Sequence, residues 1–406
     1  MTKPRILIIS PVTPYPVHHG AGSTIYGYIR ALREDFDILF AGFCPERFRS
    51  QAQEGLNHLC RKAWLFDAPL ARRLDAFSPT PFLFSNLESD IMRRAVDRIL
   101  EEERPDLVQV EYLGMARYAE RARCRRIVRA HVLEWWHYYL NWQRTRGIRT
   151  RLENLFWCLD SIRHNRRTLE SFDWVLVTSE PERERALELA PQARVEALPF
   201  LLLDCEFFRP ALDPPREPQM IFVGFLPHTP NEEALVYFIG QVLPLVRREE
   251  PRARLVVAGE GASNALRGLM HDHDVDYLDY VEDLREMYRR SRVYVTPINS
   301  GGGIRTKIVE AMAAGVPVVS SSFAPVGLGL LPGHHLLVED APARTAAAAV
   351  ELLRDDDRWR RIQTAARGLV ENCFSLERVG PRIRARYRQF LEPAASSRGR
   401  SLVSGF

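Results

Sequence analysis

Short apolar runs alternate with amphipathic stretches along this chain. Arg5-Ile6-Leu7-Ile8-Ile9 is unbroken by polar residues after its first position, the mark of a strand buried on both faces. A loop carrying Pro11, Pro14, Pro16, His18, His19, Gly20 and Gly22 follows. Helical spacing runs from about Ser23 to Arg33, and strand patterns recur at Asp37–Ala41, Leu107–Val110, Ile127–Ala130 and Trp174–Thr178. Such alternation predicts a parallel sheet covered by helices.

The proline-rich, polar segment Ala211–Gln219 interrupts the pattern and reads as a domain boundary. A second alternation then begins. It predicts a strand at Met220–Gly224, a helix at Asn231–Arg247, a strand at Arg254–Ala258 and a short strand near Val275–Leu278. A helix at Leu284–Arg290 and a strand at Val293–Thr296 follow. The last helix, Leu376–Leu391, precedes a Ser/Gly/Arg tail expected to be disordered. The expected architecture is α/β, with two Rossmann-like doubly wound lobes facing a central cleft. The lobes are residues 1–210 and 211–375. A helix at 376–392 crosses back to the first lobe, and the tail is 393–406. Ligands of such sheets bind at the carboxyl ends of strands.

The densest chemistry lies in residues 295–319, VTPINSGGGIRTKIVEAMAAGVPVV. Three glycines, Gly301 to Gly303, leave a strand and enter a helical pattern carrying Ile304, Ile308, Val309, Ala311 and Met312. Gly315 ends that helix, and Pro317-Val318-Val319 opens another strand. Free N–H groups and the helix dipole gather at such a junction and suit a phosphate. Lys307 and Glu310 fall on one face of the helix. The sequence has 56 Lys plus Arg, yet only Lys3, Lys62 and Lys307 are lysine. A lysine beside the glycine loop points to a need for a compact ammonium. The alternative is a solvated surface pair.

Composition narrows the classes. A length of 406 residues suits two or three domains. A net charge of +4 does not by itself imply nucleic acid, and no nucleic-acid partner is expected. Six cysteines lie scattered without a C-x-x-C pair, which argues against zinc ribbons and disulfide frameworks and fits a reducing compartment. The first strand lacks the features of a signal peptide, and no apolar run is long enough to span a bilayer. A cytoplasmic protein is expected.

Other candidates are weaker. Gly20-Ala21-Gly22 follows the first strand, but Ser23, Thr24 and Ile25 supply no third glycine, so a dinucleotide fingerprint is not met. The loop can still bring backbone amides near a phosphate. His131 ends the strand Ile127–Ala130, where an imidazole can donate a hydrogen bond or act as acid or base, and Glu134 lies three residues on. His18-His19 and His334-His335 read as loop residues, and Asp355-Asp356-Asp357 as a solvated turn. Residues 117–167 hold thirteen arginines against four acids, together with Trp135, Trp136, Trp142 and Trp157. Basic and indole side chains together suit a membrane interface. The alternative is long helices whose tryptophans pack inward.

The stretch from Gly301 to Val319 resembles the signature of the group 1 retaining glycosyltransferases of GT-B fold, in the bacterial subgroup with a triple glycine. Phe222-Val223-Gly224 with Pro230-Asn231, Leu255-Val256-Val257-Ala258-Gly259 and Val281-Glu282-Asp283-Leu284 fall in the family's order. So do Thr178-Ser179-Glu180 and Pro199 before Phe207-Phe208-Arg209-Pro210. The resemblance implies transfer of a sugar from a nucleotide-diphosphate donor with retained configuration, no required metal and no cofactor. The implied acceptor is lipid-linked, a polysaccharide or a secondary metabolite, and peripheral inner-membrane contact through residues 117–167 would fit it. By the same resemblance Glu310 holds the donor ribose, and Lys307 and Arg305 neutralise the diphosphate. Gly301, Gly302, Gly303 and Ile304 line the donor with Gly224, Val281 touches the base, Gly20 and Gly22 approach from the first lobe, and His131 reaches the donor sugar. His131, Lys307 and Glu310 are thus the expected catalytic set. Three departures stand out. Gly302 replaces a glutamate common eight positions before Glu310, residues 225–231 hold only His228 where a stronger base is usual, and Pro199-Phe200-Leu201 replaces Pro-Asn-Gly. Two other functions share the fold: a non-catalytic subunit supporting a partner transferase, and a nucleotide-sugar epimerase, which would need paired carboxylates not seen here.

Overall fold

The structure, a computed structural model, describes residues 3–17, 20–69, 87–145, 147–210, 213–281, 283–301 and 304–392. The chain forms two compact units. One takes the residues up to Leu202 together with those from Val379, and the other takes Leu203–Arg378.

Among the described residues the first unit holds a seven-stranded, wholly parallel sheet ordered β3-β2-β1-β4-β5-β6-β7. Its strands are β1 (Arg5–Ser10), β2 (Asp37–Phe43), β3 (Lys62–Phe66), β4 (Leu107–Glu111), β5 (Arg125–Ala130), β6 (Trp174–Val177) and β7 (Val195–Ala197). Ile6, Leu7, Ile8 and Ile9 are all fully buried, as their uninterrupted apolar run requires of a strand covered on both faces. Leu7, Ile9, Val108, Val110, Val128 and Val175 pack on one face with Met92, Val96 and Ile99 of the helix Asp90–Glu103. The final helix, Leu376–Leu391, buries Ile383, Tyr387 and Phe390.

The second unit holds a six-stranded parallel sheet ordered β10-β9-β8-β11-β12-β13. Its strands are β8 (Gln219–Val223), β9 (Arg254–Ala258), β10 (Asp276–Leu278), β11 (Val293–Thr296), β12 (Val318–Ser320) and β13 (Leu337–Val338). Residues 203–210 go with this unit, because Arg367 donates to the carbonyls of Cys205 (2.9 Å) and Phe208 (2.6 Å).

Two local expectations are corrected. The helix expected over Asn231–Arg247 is Thr229–Tyr237 and Leu243–Glu249, joined by a wide turn at Phe238–Val242. Pro244 lacks the N–H that a continuous ladder needs at that point. Gly20 and Gly22, expected in a loop, form the first turn of the helix Gly20–Leu32. The 393–406 tail, His18 and His19 lie outside the described residues.

Candidate active site

In the second sheet β8 and β11 are neighbours, and the chain winds outward from them in opposite directions. That is the switch point of a doubly wound sheet, where loops at the carboxyl ends diverge and leave room for a ligand. The loops after β8 and β11 meet there. A Cβ added to Gly301 would lie 3.2 Å from Pro230 Cγ, and Gly301 holds φ +98°, so a side chain there would be strained. Behind them, Gly259 at φ +151° passes so close to Gly224 that a Cβ would lie 1.7 Å from its carbonyl oxygen.

The helix Thr306–Ala313 begins at this point. Lys307 Nζ donates to Glu310 Oε2 at 2.7 Å, one turn along. The two side chains are only 18% and 5% exposed, so this is not the solvated surface pair that the spacing also allowed. Tyr288 and Tyr294 pack beside Glu310. Burial, and then the Glu310 charge, push both phenols well above their ordinary value. Arg305 precedes the helix. Its Nη2 donates to the Ser300 carbonyl at 2.9 Å, and its guanidinium lies 5.0 Å from the Phe323 ring centre. Burial brings it down to about 10, which leaves it a cation at neutral pH. His228 lies near enough to be affected: partial burial, then the Arg305 charge, holds its imidazole below the usual value. The loop and helix start therefore collect Arg305, Lys307 and a weakly basic His228 around backbone that can approach a ligand closely.

In the first unit, β4 and β5 end on a buried polar network. Their parallel register sets Glu111 opposite Arg129, and both side chains are fully buried. Arg129 Nη1 donates to both Glu111 oxygens, at 3.0 and 3.2 Å, and Nη2 donates to the Phe200 carbonyl at 3.1 Å. The guanidinium also lies over Tyr28 at 3.6 Å. Gln109 donates to Glu111, and Tyr387 of the final helix donates to Gln109, each at 2.5 Å. His131 completes the set. Its Nε2 lies 2.6 Å from Glu111, and its ring stacks on Tyr112 at 4.0 Å and meets Phe200 edge-on at 4.6 Å.

These contacts fix the state of His131. Burial raises the Glu111 carboxyl, but Arg129 and His131 outweigh it, and the net position is below the ordinary value. Burial lowers His131, against the pull of Glu111. A neutral imidazole beside an ionised carboxylate must carry its proton on Nε2, because the carboxylate only accepts. That leaves Nδ1 as an acceptor. The histidine expected to donate or to act as acid or base is thus a neutral ring whose N–H is already engaged by Glu111.

The structure brings Gly224, Gly301, Ile304, Arg305, Lys307 and Glu310 to the carboxyl end of the second sheet. Val281 is partly exposed in the loop beyond β10. Gly302 and Gly303 lie outside the described residues. His131, Gly20 and Gly22 belong to the first unit, at the carboxyl ends of its strands. The sequence reading missed Glu111, Tyr112 and Arg129. For Glu111 and Arg129 the signal was a charge at or next to the end of each strand run, LVQVE and RIVRA, but only strand pairing shows that these charges meet. Among the described residues no cluster of three or more His, Cys, Asp or Glu side chains could hold a metal ion.

Comparison with known proteins agrees with this layout. Residues 217–355 match the family described as glycosyl transferases group 1, and residues 19–200 match a glycosyl transferase 4-like domain. An uncharacterised 44.6 kDa protein in the cps region of Klebsiella pneumoniae is 20% identical over 92% of this chain and 97% of its own length. O-antigen chain mannosyltransferase B of Escherichia coli is 40% identical over 110 residues, which are 24% of this chain and 28% of that protein. The structure of Anabaena HepE in complex with UDP-glucose superposes with a TM-score of 0.67 at 12% identity, covering 95% of this chain and 99% of that one.

Proposed function

The chain belongs to the group 1 glycosyltransferases of GT-B fold, and on that premise we propose that it moves a hexosyl unit, with retention, from a nucleotide-diphosphate donor to a lipid-linked or glycan acceptor. The observation that carries this reading is the buried Lys307–Glu310 pair at the start of a helix on the sheet's switch point. Lys307 and Arg305, with the helix N-terminus, neutralise the diphosphate as it departs, which is the electrostatic role such a site needs. Glu310 accepts the ribose hydroxyls, Val281 touches the base, and Gly224 with the glycine loop from Gly301 offers backbone to the donor. His131 accepts from a sugar hydroxyl through Nδ1. Gly20 and Gly22 offer backbone to the donor. The proposed transfer requires no metal ion.

The mannosyltransferase name of one relative and the UDP-glucose in one structural neighbour support a hexosyl donor and make GDP-mannose and UDP-glucose the first to test. We place the enzyme in the cytoplasm, peripheral to the membrane. A thermal-shift panel of UDP-, GDP- and dTDP-sugars tests the donor, since a ligand bound only by the native chain raises its melting point. One donor series shifts the native chain and fails to shift Lys307→Met. No shift with any of them would overturn the donor assignment. Proton NMR of the first product tests retention, and an inverted anomeric coupling would refute it.

A further inference from the structure

The helix Ile148–Ser171 is inside out over about its first five turns. Its buried line is Asn154, Cys158, Ser161 and Asn165, mostly polar, at helix spacing. Its exposed line is Ile148, Leu152, Phe156 and Leu159, which are 79%, 61%, 55% and 61% exposed. At about 100° per residue these four fall within an arc of about 80°, nearly opposite the buried line, and span about 17 Å of axis. A water-facing helix carries the reverse pattern. Scattered exposed apolar residues need no explanation, but an aligned stripe does.

We propose that this stripe is a docking surface for an anionic lipid bilayer. Arg163 and Arg166 continue the same line beyond Leu159, and Arg149 and Arg151 flank its start, all exposed; Arg149 pairs with Glu153 at 3.0 Å and Arg166 with Glu170 at 3.1 Å, so the arginines still outnumber the acids on this face. The neighbouring helix Glu134–Arg144 adds half-buried Trp136, Tyr139 and Trp142, with Arg151 lying 5.1 Å from the Trp142 ring centre. Apolar side chains entering the acyl boundary, indoles at headgroup level and guanidiniums on phosphates are the complement of an anionic interface. A second copy fits less well. An antiparallel twofold pairing of two such stripes sets Arg163 and Arg166 of one against Arg149 and Arg151 of the other. No described helix is long and apolar enough to cross a membrane, so the contact lies on the surface. This inference rests on the proposed lipid-linked acceptor only for its purpose. It narrows the contact from residues 117–167 to one face of Ile148–Ser171 and the aromatic side chains of Glu134–Arg144 beside it.

The test is flotation of the intact protein with vesicles of phosphatidylglycerol and phosphatidylcholine mixed, and of phosphatidylcholine alone. The native chain floats with the first, less at high salt, and not with the second. Leu152→Ser with Phe156→Ser lowers partition by about tenfold per residue. Far-UV circular dichroism and the nucleotide thermal shift stay unchanged, which separates failure of docking from failure of the donor site. Equal flotation of native and variant chains would overturn the proposal. So would a native dimer in sedimentation that the double variant breaks, because the stripe would then join two copies.

Discussion

Lys307→Met removes the ammonium paired with Glu310 and leaves Glu310 in place. The magnitude follows from burial: Glu310 is 5% exposed, and its partner at 2.7 Å is 18% exposed. Removing one member of a buried pair takes away the other's counter-charge and costs about 3 kcal/mol of stability, whereas replacing both is near neutral. Glu310→Gln strands the ammonium and costs about 2 kcal/mol, less because Lys307 reaches water. The double variant Lys307→Met with Glu310→Gln is expected within about 1 kcal/mol of the native chain by urea unfolding. Turnover behaves differently. If Lys307 neutralises the departing diphosphate, its loss lowers kcat by about 10² to 10³, and restoring stability in the double variant does not recover it. Urea titration and a coupled nucleoside-diphosphate release assay on all four chains form the complete cycle. A double variant regaining both stability and turnover would refute the phosphate role and leave a structural pair. Native-level transfer by Lys307→Met alone would do the same.

Three further outcomes follow from the geometry. Burial pushes the Glu134 carboxyl up to about 7, with Asn165 donating to it at 2.9 Å. Between about 4.5 and 7 the folded chain therefore holds a proton that the unfolded chain has lost, and stability falls as pH rises through that window. Glu134→Gln should gain about 3 kcal/mol at pH 8 and almost nothing at pH 4; a pH-independent difference in urea unfolding would contradict the burial argument. Glu111→Gln leaves the fully buried Arg129 without its counter-charge and should cost about 3–5 kcal/mol, while Glu111→Gln with Arg129→Met recovers much of that. Gly259→Ala drives a methyl into the Gly224 carbonyl and should cost about 3 kcal/mol or more, measured by the same unfolding assay, and an unchanged midpoint would deny the close approach.

Local physics made much of this protein legible in one dimension. The run Ile6–Ile9 has only one reading, because four consecutive apolar β-formers must be covered on both faces. The loop from Gly301, the helix bearing Lys307 and Glu310, and the following strand are punctuated by glycine and proline within one short stretch, so their order needs no distant contact. Chain order likewise gave two α/β units. What lay beyond reach depends on pairing. That β8 and β11 are neighbours, although the chain between them contains β9 and β10, is a fact of sheet order. The same holds for Glu111 facing Arg129, whose separation in sequence hides a parallel register that buries both charges and fixes the His131 proton. The helix Ile148–Ser171 shows the difference most clearly. Its sequence lists leucines, arginines and one tryptophan without saying which face meets the protein, and only packing put the asparagines inside and Leu152 and Phe156 in water. Periodicity states that a helix has two faces, and the choice between them is made by the surface it packs against.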